Sequence, residues 1–120
     1  MLATLHYLDT RGFTIVVVSA TARLLLEPVL GLLPIGEILA MEFLCDNKGD
    51  FSGKTPEPSP AGSGKALVIQ EKYGDSLEFA AGNSQLDADF MLLARQKAWA
   101  YEPDATLKAL ASANSWFLTP

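Results

Sequence analysis

Three points along the chain carry residue types that could work on a phosphate group. Ser19 follows the apolar run "IVVV" and precedes a helical pattern. At such a junction a hydroxyl and nearby backbone N–H groups can hold a phosphate oxygen. Lys65 follows "AGSG" and opens a second helical pattern, where an ammonium can neutralise an anion. The stretch is not a Walker A loop: the G-x-x-x-x-G-K-[ST] spacing is absent, and Ala66 stands where the hydroxyl residue belongs. Asp87 lies in "FAAGNSQLDADFML", three residues after Ser84, which is placed to cap a helix. A carboxylate at that point suits the helix dipole and a cap-box role, and equally a cation. Asp89 points about 200° away from Asp87 on a helix, so the two cannot face one small site. Each of the three also has an ordinary reading, as turn residue, solvated lysine and helix cap respectively.

The remaining chemistry-bearing residues carry less. His6 is the single histidine, near the chain start and without a visible partner. Asp46, Lys48 and Asp50 read as turn chemistry, since the EF-hand spacing is missing. The single cysteine, Cys45, has no partner for a disulfide or a Cys-based metal site. Following "MEFL", it is expected in or near the core. Trp99 and Trp116 are expected in the core as well.

These residues must be positioned by strands and helices that alternate. Residues 1–11 suit a short helix stopped at Gly12. "FTIVVVSAT" is rich in β-branched residues with little alternation, as in a strand covered on both faces. Ser19 is expected to close that strand and Thr21 to cap the next helix, "ARLLLEPVLGLL", which Pro28 bends or shortens. "GEILAMEFL" is a strand candidate. The Gly-, Pro- and Ser-rich stretch that follows is loop, with a small hairpin around "NKGDFSG". "KALVIQEKYG" is a helix ending at Gly74, "SLEFAAG" a strand, "SQLDADFMLLARQ" a helix and "KAWAY" a short strand. "PDATLKALASANSW" is a last helix, with Asp104 as its cap. Such alternation predicts βαβ units and a parallel sheet, with ligands outside the carboxyl ends of the strands.

Bulk properties narrow the partners. The 120 residues are 49% hydrophobic with net charge −5, and the pI is about 4.7. The length suits a single domain. The acidic balance argues against nucleic acid as a partner, although one local positive site can still hold a small anion. The apolar zone from Phe13 to Leu44 is broken by Arg23, Glu27, Pro28, Pro34 and Glu37. It falls short of the roughly 20 apolar residues of a membrane span. With no secretory signal pattern at "MLATLHYLDTRG", the expected location is cytoplasmic and the expected partners include no membrane.

Taken in order, the segments resemble the haloacid dehalogenase-like (HAD) superfamily, in particular its phosphoserine-phosphatase-like branch. "VVVSAT" resembles the second motif of that family, "GSGKALVIQEKYG" the third and "GNSQLDADFML" the fourth. The tail "KAWAYEPDATLKALASANSW" resembles the strand, turn and helix that close such domains, so the match covers most of residues 12–116. The resemblance implies a Rossmann-like three-layer α/β/α fold with a mostly parallel sheet. It implies Mg²⁺-dependent phosphomonoester hydrolysis through an aspartyl-phosphate, on a small phosphorylated molecule. Ser19 and Ala20 would bind the phosphoryl group, Lys65 would neutralise its charge, and Asp87 and Asn83 would hold Mg²⁺.

Two departures stand out. Asn83 occupies a position where many relatives carry an acid. The family nucleophile belongs to a D-x-D pattern after an apolar strand, and none precedes Ser19: Asp9 is followed by Arg11, and Asp46 by Lys48. The expectation is a single partial core domain over 1–120, with a loop excursion at 44–64. The first strand, nucleophile and cap domain would lie upstream of Met1, and residues 1–12 would be the helix leading out of that cap domain. Such a chain is expected to be inactive alone and to dimerise through its exposed sheet. The alternative is a non-enzymatic anion-binding or protein-interaction module.

Overall fold

The structure, a computed structural model, describes all residues 1–120. The chain divides into two units, Met1–Pro60 and Ala61–Pro120. The expected mixed α/β class with parallel strands is what both units have. No helix is long and apolar enough to cross a membrane.

In the first unit, α1 (Leu2–Thr10) ends just before Gly12, whose φ of 81° is left-handed territory that glycine enters without strain. β1 (Val16–Ala22), α2 (Arg23–Leu30) and β2 (Glu37–Met41) form a βαβ unit with β1 and β2 parallel. Val16 to Ser19 pair with Glu37 to Ala40 in step. The pairing then slips, so that Ala22 faces Met41 and Ala20 and Thr21 bulge out. Ser19 therefore does not close the strand, as its sequence context suggests. Its Oγ accepts the Thr21 amide at 3.1 Å, which folds the backbone into the bulge rather than ending it. Thr21 is consequently no cap; Ala22 precedes α2 and offers no capping side chain. β1 is half-buried rather than covered on both faces. The hairpin expected around "NKGDFSG" is present as β3 (Leu44–Cys45) against β4 (Phe51–Lys54), antiparallel. Both arms are exposed, so Cys45 lies at the surface and not in the core.

In the second unit, α3 (Gly64–Tyr73) leads to β5 (Phe79–Gly82), a 3₁₀ turn (Gln85–Asp87), α4 (Ala88–Met91), β6 (Lys97–Tyr101), α5 (Ala105–Ala113) and β7 (Phe117–Thr119). The three strands are parallel in the order β5-β6-β7. The helix expected over "SQLDADFMLLARQ" is much shorter. Beyond Met91 the amides of Leu93 and Ala94 reach back only three residues, and those of Arg95 and Gln96 bond Leu77 and Glu78 instead. The backbone is being drawn toward the pairing of β6 with β5. β7 lies just beyond the end of the expected last helix, which stops at Ala113; Ser115, at φ 53°, turns the chain so that Phe117 can pair with Trp99. Neither tryptophan is fully buried, and Trp99 Nε1 donates to Thr119 Oγ1 at 2.8 Å, a polar tether between β6 and β7.

The core of this unit rests on small strand residues under helix side chains. Ala80, Ala98 and Ala100 are buried on the strands, Phe90 and Met91 on α4, and Leu107 and Ala111 on α5. Leu107 and Ala111 are four apart, one helical turn, and α5 packs on β6 and β7. Burying a leucine fully contributes roughly 1.5–3 kcal/mol.

Candidate functional site

The carboxyl end of β5 carries the site, where the rule for parallel sheets puts it. Gly82 ends the strand and the chain turns at once. An added Cβ there would stand 2.5 Å from Asp87 Cβ, 2.8 Å from Asp87 Oδ2 and 2.8 Å from Met91 Sδ. Glycine is required for space: it lets the carboxylate of Asp87 fold back against the strand end. Asp87 Oδ2 accepts the amides of Asn83 at 3.1 Å and Ser84 at 3.3 Å, with the Ser84 hydroxyl at 3.5 Å. The Asp87 amide donates to the Ser84 carbonyl at 2.9 Å and also faces the Ser84 side chain, which with the Asp87 carboxylate on the Ser84 amide makes the reciprocal arrangement of a capping box.

The other oxygen of Asp87 faces Lys65. Nζ lies 2.6 Å from Oδ1, with the two side chains only 14% and 10% exposed. Burial of this degree makes a charge costly unless it is paired, and here each partner supplies the other. An ammonium has three N–H donors. One goes to Asp87, which leaves two for another acceptor.

A second carboxylate braces the turn from outside. Asp104 caps α5 by accepting the Leu107 amide at 2.8 Å, and its other oxygen accepts the Gln85 amide at 2.7 Å. Its own amide donates to the Asn83 carbonyl at 3.0 Å. The amides of Leu107 and then Gln85, joined by that of Thr106, hold the Asp104 carboxyl below its ordinary value, against a smaller opposing effect of burial. Three successive amides, Asn83, Ser84 and Gln85, are thus all taken by the protein's own carboxylates.

The structure brings together Lys65, Asp87 and the backbone of Asn83, all in the second unit. Ser19 and Ala20 lie in the first unit, on the bulge at the end of β1, Ser19 half-buried and Ala20 exposed. Asp89 is exposed on α4, away from the pair, as its spacing requires. His6 is exposed on α1. Asp46 Oδ1 accepts the amides of Lys48 and Asp50, which is turn chemistry and nothing more. Sequence reasoning put Gly82 at the head of the run to inspect after a strand but gave it no role of its own, and gave Asp104 only a helix-cap role. The signal for Gly82 was a glycine at a strand end directly before a Ser-x-x-Asp cap; nothing local announces the reach of Asp104 to Gln85, nineteen residues away.

The family model of the haloacid dehalogenase-like hydrolases matches residues 1–92. The chain belongs to that family. No curated protein matches the sequence. Among solved structures, a protein of unknown function from Bordetella pertussis Tohama I is similar at a TM-score of 0.86 and 16% identity. The match covers 99% of this chain and 56% of that one. A HAD family hydrolase from Salmonella enterica subsp. enterica serovar Typhi is similar at a TM-score of 0.71 and 9% identity, over 91% of this chain and 38% of its own. At these identities the likeness is one of fold. This HAD-like chain spans about half the length of the first of these neighbours and less of the second.

Magnesium, which the family implies, is a poor fit to the residues assembled here. Mg²⁺ takes an octahedron of oxygens, usually one or two carboxylates with waters. Asp87 is the one carboxylate at the turn that could face it, and both its oxygens are already engaged by donors. Asn83 brings an amide with no charge, and no three His, Cys, Asp or Glu side chains gather into a metal centre.

Proposed function

We propose that this HAD-like chain carries the charge-neutralising part of a phosphomonoester hydrolase and does not turn over substrate by itself. The observation that carries the reading is the Lys65–Asp87 pair at the carboxyl end of β5: a part-buried ammonium, fixed by a carboxylate and with two donors to spare. Phosphoryl transfer depends more on positioning and charge neutralisation than on elaborate covalent machinery. Lys65 would pair with the phosphoryl oxygens, as the family resemblance assigns. Reaction through an aspartyl-phosphate needs a nucleophilic Asp in a D-x-D ahead of Ser19, which these 120 residues do not offer; Asp87 and Asp89 lie later, on the turn and helix after β5.

The test is twofold. Adding inorganic phosphate to isotope-labelled protein should shift the Lys65 side-chain signals in wild type. Failure of Lys65 to respond would sink the phosphate reading. Hydrolysis of an aryl phosphate, with and without Mg²⁺, should stay at the level of Lys65→Ala and Asp87→Asn. Mg²⁺-dependent turnover lost in both variants would reveal an unrecognised nucleophile and overturn the inactivity.

A second reading, association, is favoured by α2. Its residues Leu24, Leu25, Pro28 and Val29, with Leu32 in the turn that follows, are all apolar and exposed, Leu32 by 86%. Leu25 and Val29 stand one turn apart on α2, the i, i+4 spacing by which helices interdigitate. Arg23 is paired within the chain, to Glu27 at 3.6 Å and Glu42 at 2.7 Å, so the apolar residues would carry such a contact. The partner in this reading is a second copy of the chain, and a monomer at high concentration in sedimentation equilibrium would count against it.

A further inference from the structure

The ammonium of Lys65 stands where a cation would stand if Asp87 were a metal ligand. It sits 2.6 Å from Oδ1, nearly out of water, while Oδ2 is taken by the Asn83 and Ser84 amides. A divalent ion approaching Asp87 would have to displace those amides or come within a few ångströms of a like charge. Displacing the amides means unfolding the turn, because Gly82 and Met91 crowd the carboxylate on the strand side. Approaching beside Lys65 means repulsion in a site with little water to screen it. Asn83, the other candidate ligand, brings no charge to offset that cost.

We infer that Lys65 acts as a built-in cation that closes the Asp87 turn to divalent metals, and that removing its charge converts the turn into a metal site. This goes beyond the phosphate reading and does not depend on which reaction the chain serves, so the two can fail separately.

The probe is Mn²⁺, titrated into isotope-labelled full-length chain while paramagnetic broadening of backbone amides is followed. In wild type the amides of Asn83, Ser84 and Asp87 should broaden no sooner than those beside exposed acids such as Asp46 and Asp89. In Lys65→Met, which keeps an apolar stem in place, broadening should focus on residues 83–87 at about tenfold lower Mn²⁺ or less, the minimum expected for relieving one close like charge. Lys65→Arg keeps the charge and should behave as wild type. Early broadening of the Asn83–Asp87 amides in wild type overturns the inference, whatever the variants do. Silence in a folded Lys65→Met overturns it too, since the turn geometry and not the lysine would then exclude the ion. The amides of Ala98, Ala100 and Leu107, buried in the same unit, report whether a variant is folded; should Lys65→Met unfold, Lys65→Gln is read in its place and the wild-type arm stands alone as the decisive one.

Discussion

The two units draw on similar sequence material and use it differently. Eight of the nine buried core residues other than proline lie in Ala61–Pro120; the first unit contributes Ala40, besides the buried Pro60. The first unit is not poor in large apolar residues, yet Leu24, Leu25, Val29 and Leu32 are more than 60% exposed. The difference is in what the helices have to pack on. A three-stranded parallel sheet with alanines at Ala80, Ala98 and Ala100 gives α4 and α5 a surface to cover. A two-stranded parallel pair gives α2 only a narrow strip, and an amphipathic helix needs more than that to bury a stripe. A well-packed base is also what a part-buried ion pair requires, and the Lys65–Asp87 pair is in the unit that has one.

The sharpest way to break this contrast is a pair of truncations read by chemical denaturation. Leu107→Ala, at 0% exposure, should cost about 2–5 kcal/mol through lost burial and the cavity left behind. The same change at Leu32 should cost less than about 0.5 kcal/mol. Equal losses would mean that the first unit has a core of comparable weight, and the comparison would fail.

Next in size is Gly82→Ala. The methyl group would fall inside contact distance of Asp87 and Met91, and relief requires moving a buried sulfur or swinging the carboxylate away from Lys65. A loss of about 1–3 kcal/mol is expected from overpacking. The accompanying sign is chemical: Lys65 should become more reactive toward amine reagents as its partner withdraws. An unchanged Lys65 would show that Met91 yields and the turn does not depend on the glycine.

Much of this arrangement was legible in the chain itself, and its failures have physical causes. The parallel βαβ order followed from apolar runs alternating with helical periodicity, and Asp104 and Ser84 announced helix starts because capping is a local interaction. The pairing of Lys65 with Asp87 was not read from the sequence, where motif order gave the two separate roles; twenty-two residues separate them. What sequence reading missed was set by long-range pairing. The bonds of Arg95 and Gln96 to Leu77 and Glu78 cut short a helix that local propensity would have continued. Phe117–Thr119, past the expected last helix and assigned to no element from sequence, became a strand through partnership with β6. Cys45 was placed inside on burial habit, but a two-residue hairpin arm has no inside.

Asp104 sharpens the comparison at smaller cost, because it separates capping from bracing. Asn is nearly as good a helix cap as Asp. Asp104→Asn therefore keeps an acceptor for Leu107 but puts an NH₂ group where Oδ2 now accepts Gln85. Hydrogen exchange at Gln85 should quicken in this variant while Leu107 stays protected; Asp104→Ala should release both. The acid dependence has a definite sign. The folded-state pKa of Asp104 lies below its ordinary value of 3.8, so the carboxylate favours the folded state above that pH. Its contribution fades as pH falls through the lower folded value. The stability gap between wild type and Asp104→Asn should thus be present at neutral pH and close in strong acid. A gap that widens on acidification would contradict the assignment of Leu107 and Gln85 as the groups that hold the charge.

The smallest expected effect on folding is at the exposed apolar face of α2 and the turn that follows it, and it bears most directly on what that face is for. Leu25→Ser and Leu32→Ser remove apolar surface that is 62% and 86% exposed, so unfolding free energy should move by no more than about 0.5 kcal/mol. Exposed apolar patches of this kind mark contact surfaces more often than accidents. If a second copy covers the face, the double variant should shift sedimentation toward monomer while its denaturation midpoint, measured in dilute solution, stays put. A large loss of stability in dilute solution would instead mean that the face is already buried within one chain. The contrast between a packed second unit and an open first unit would then have to be withdrawn.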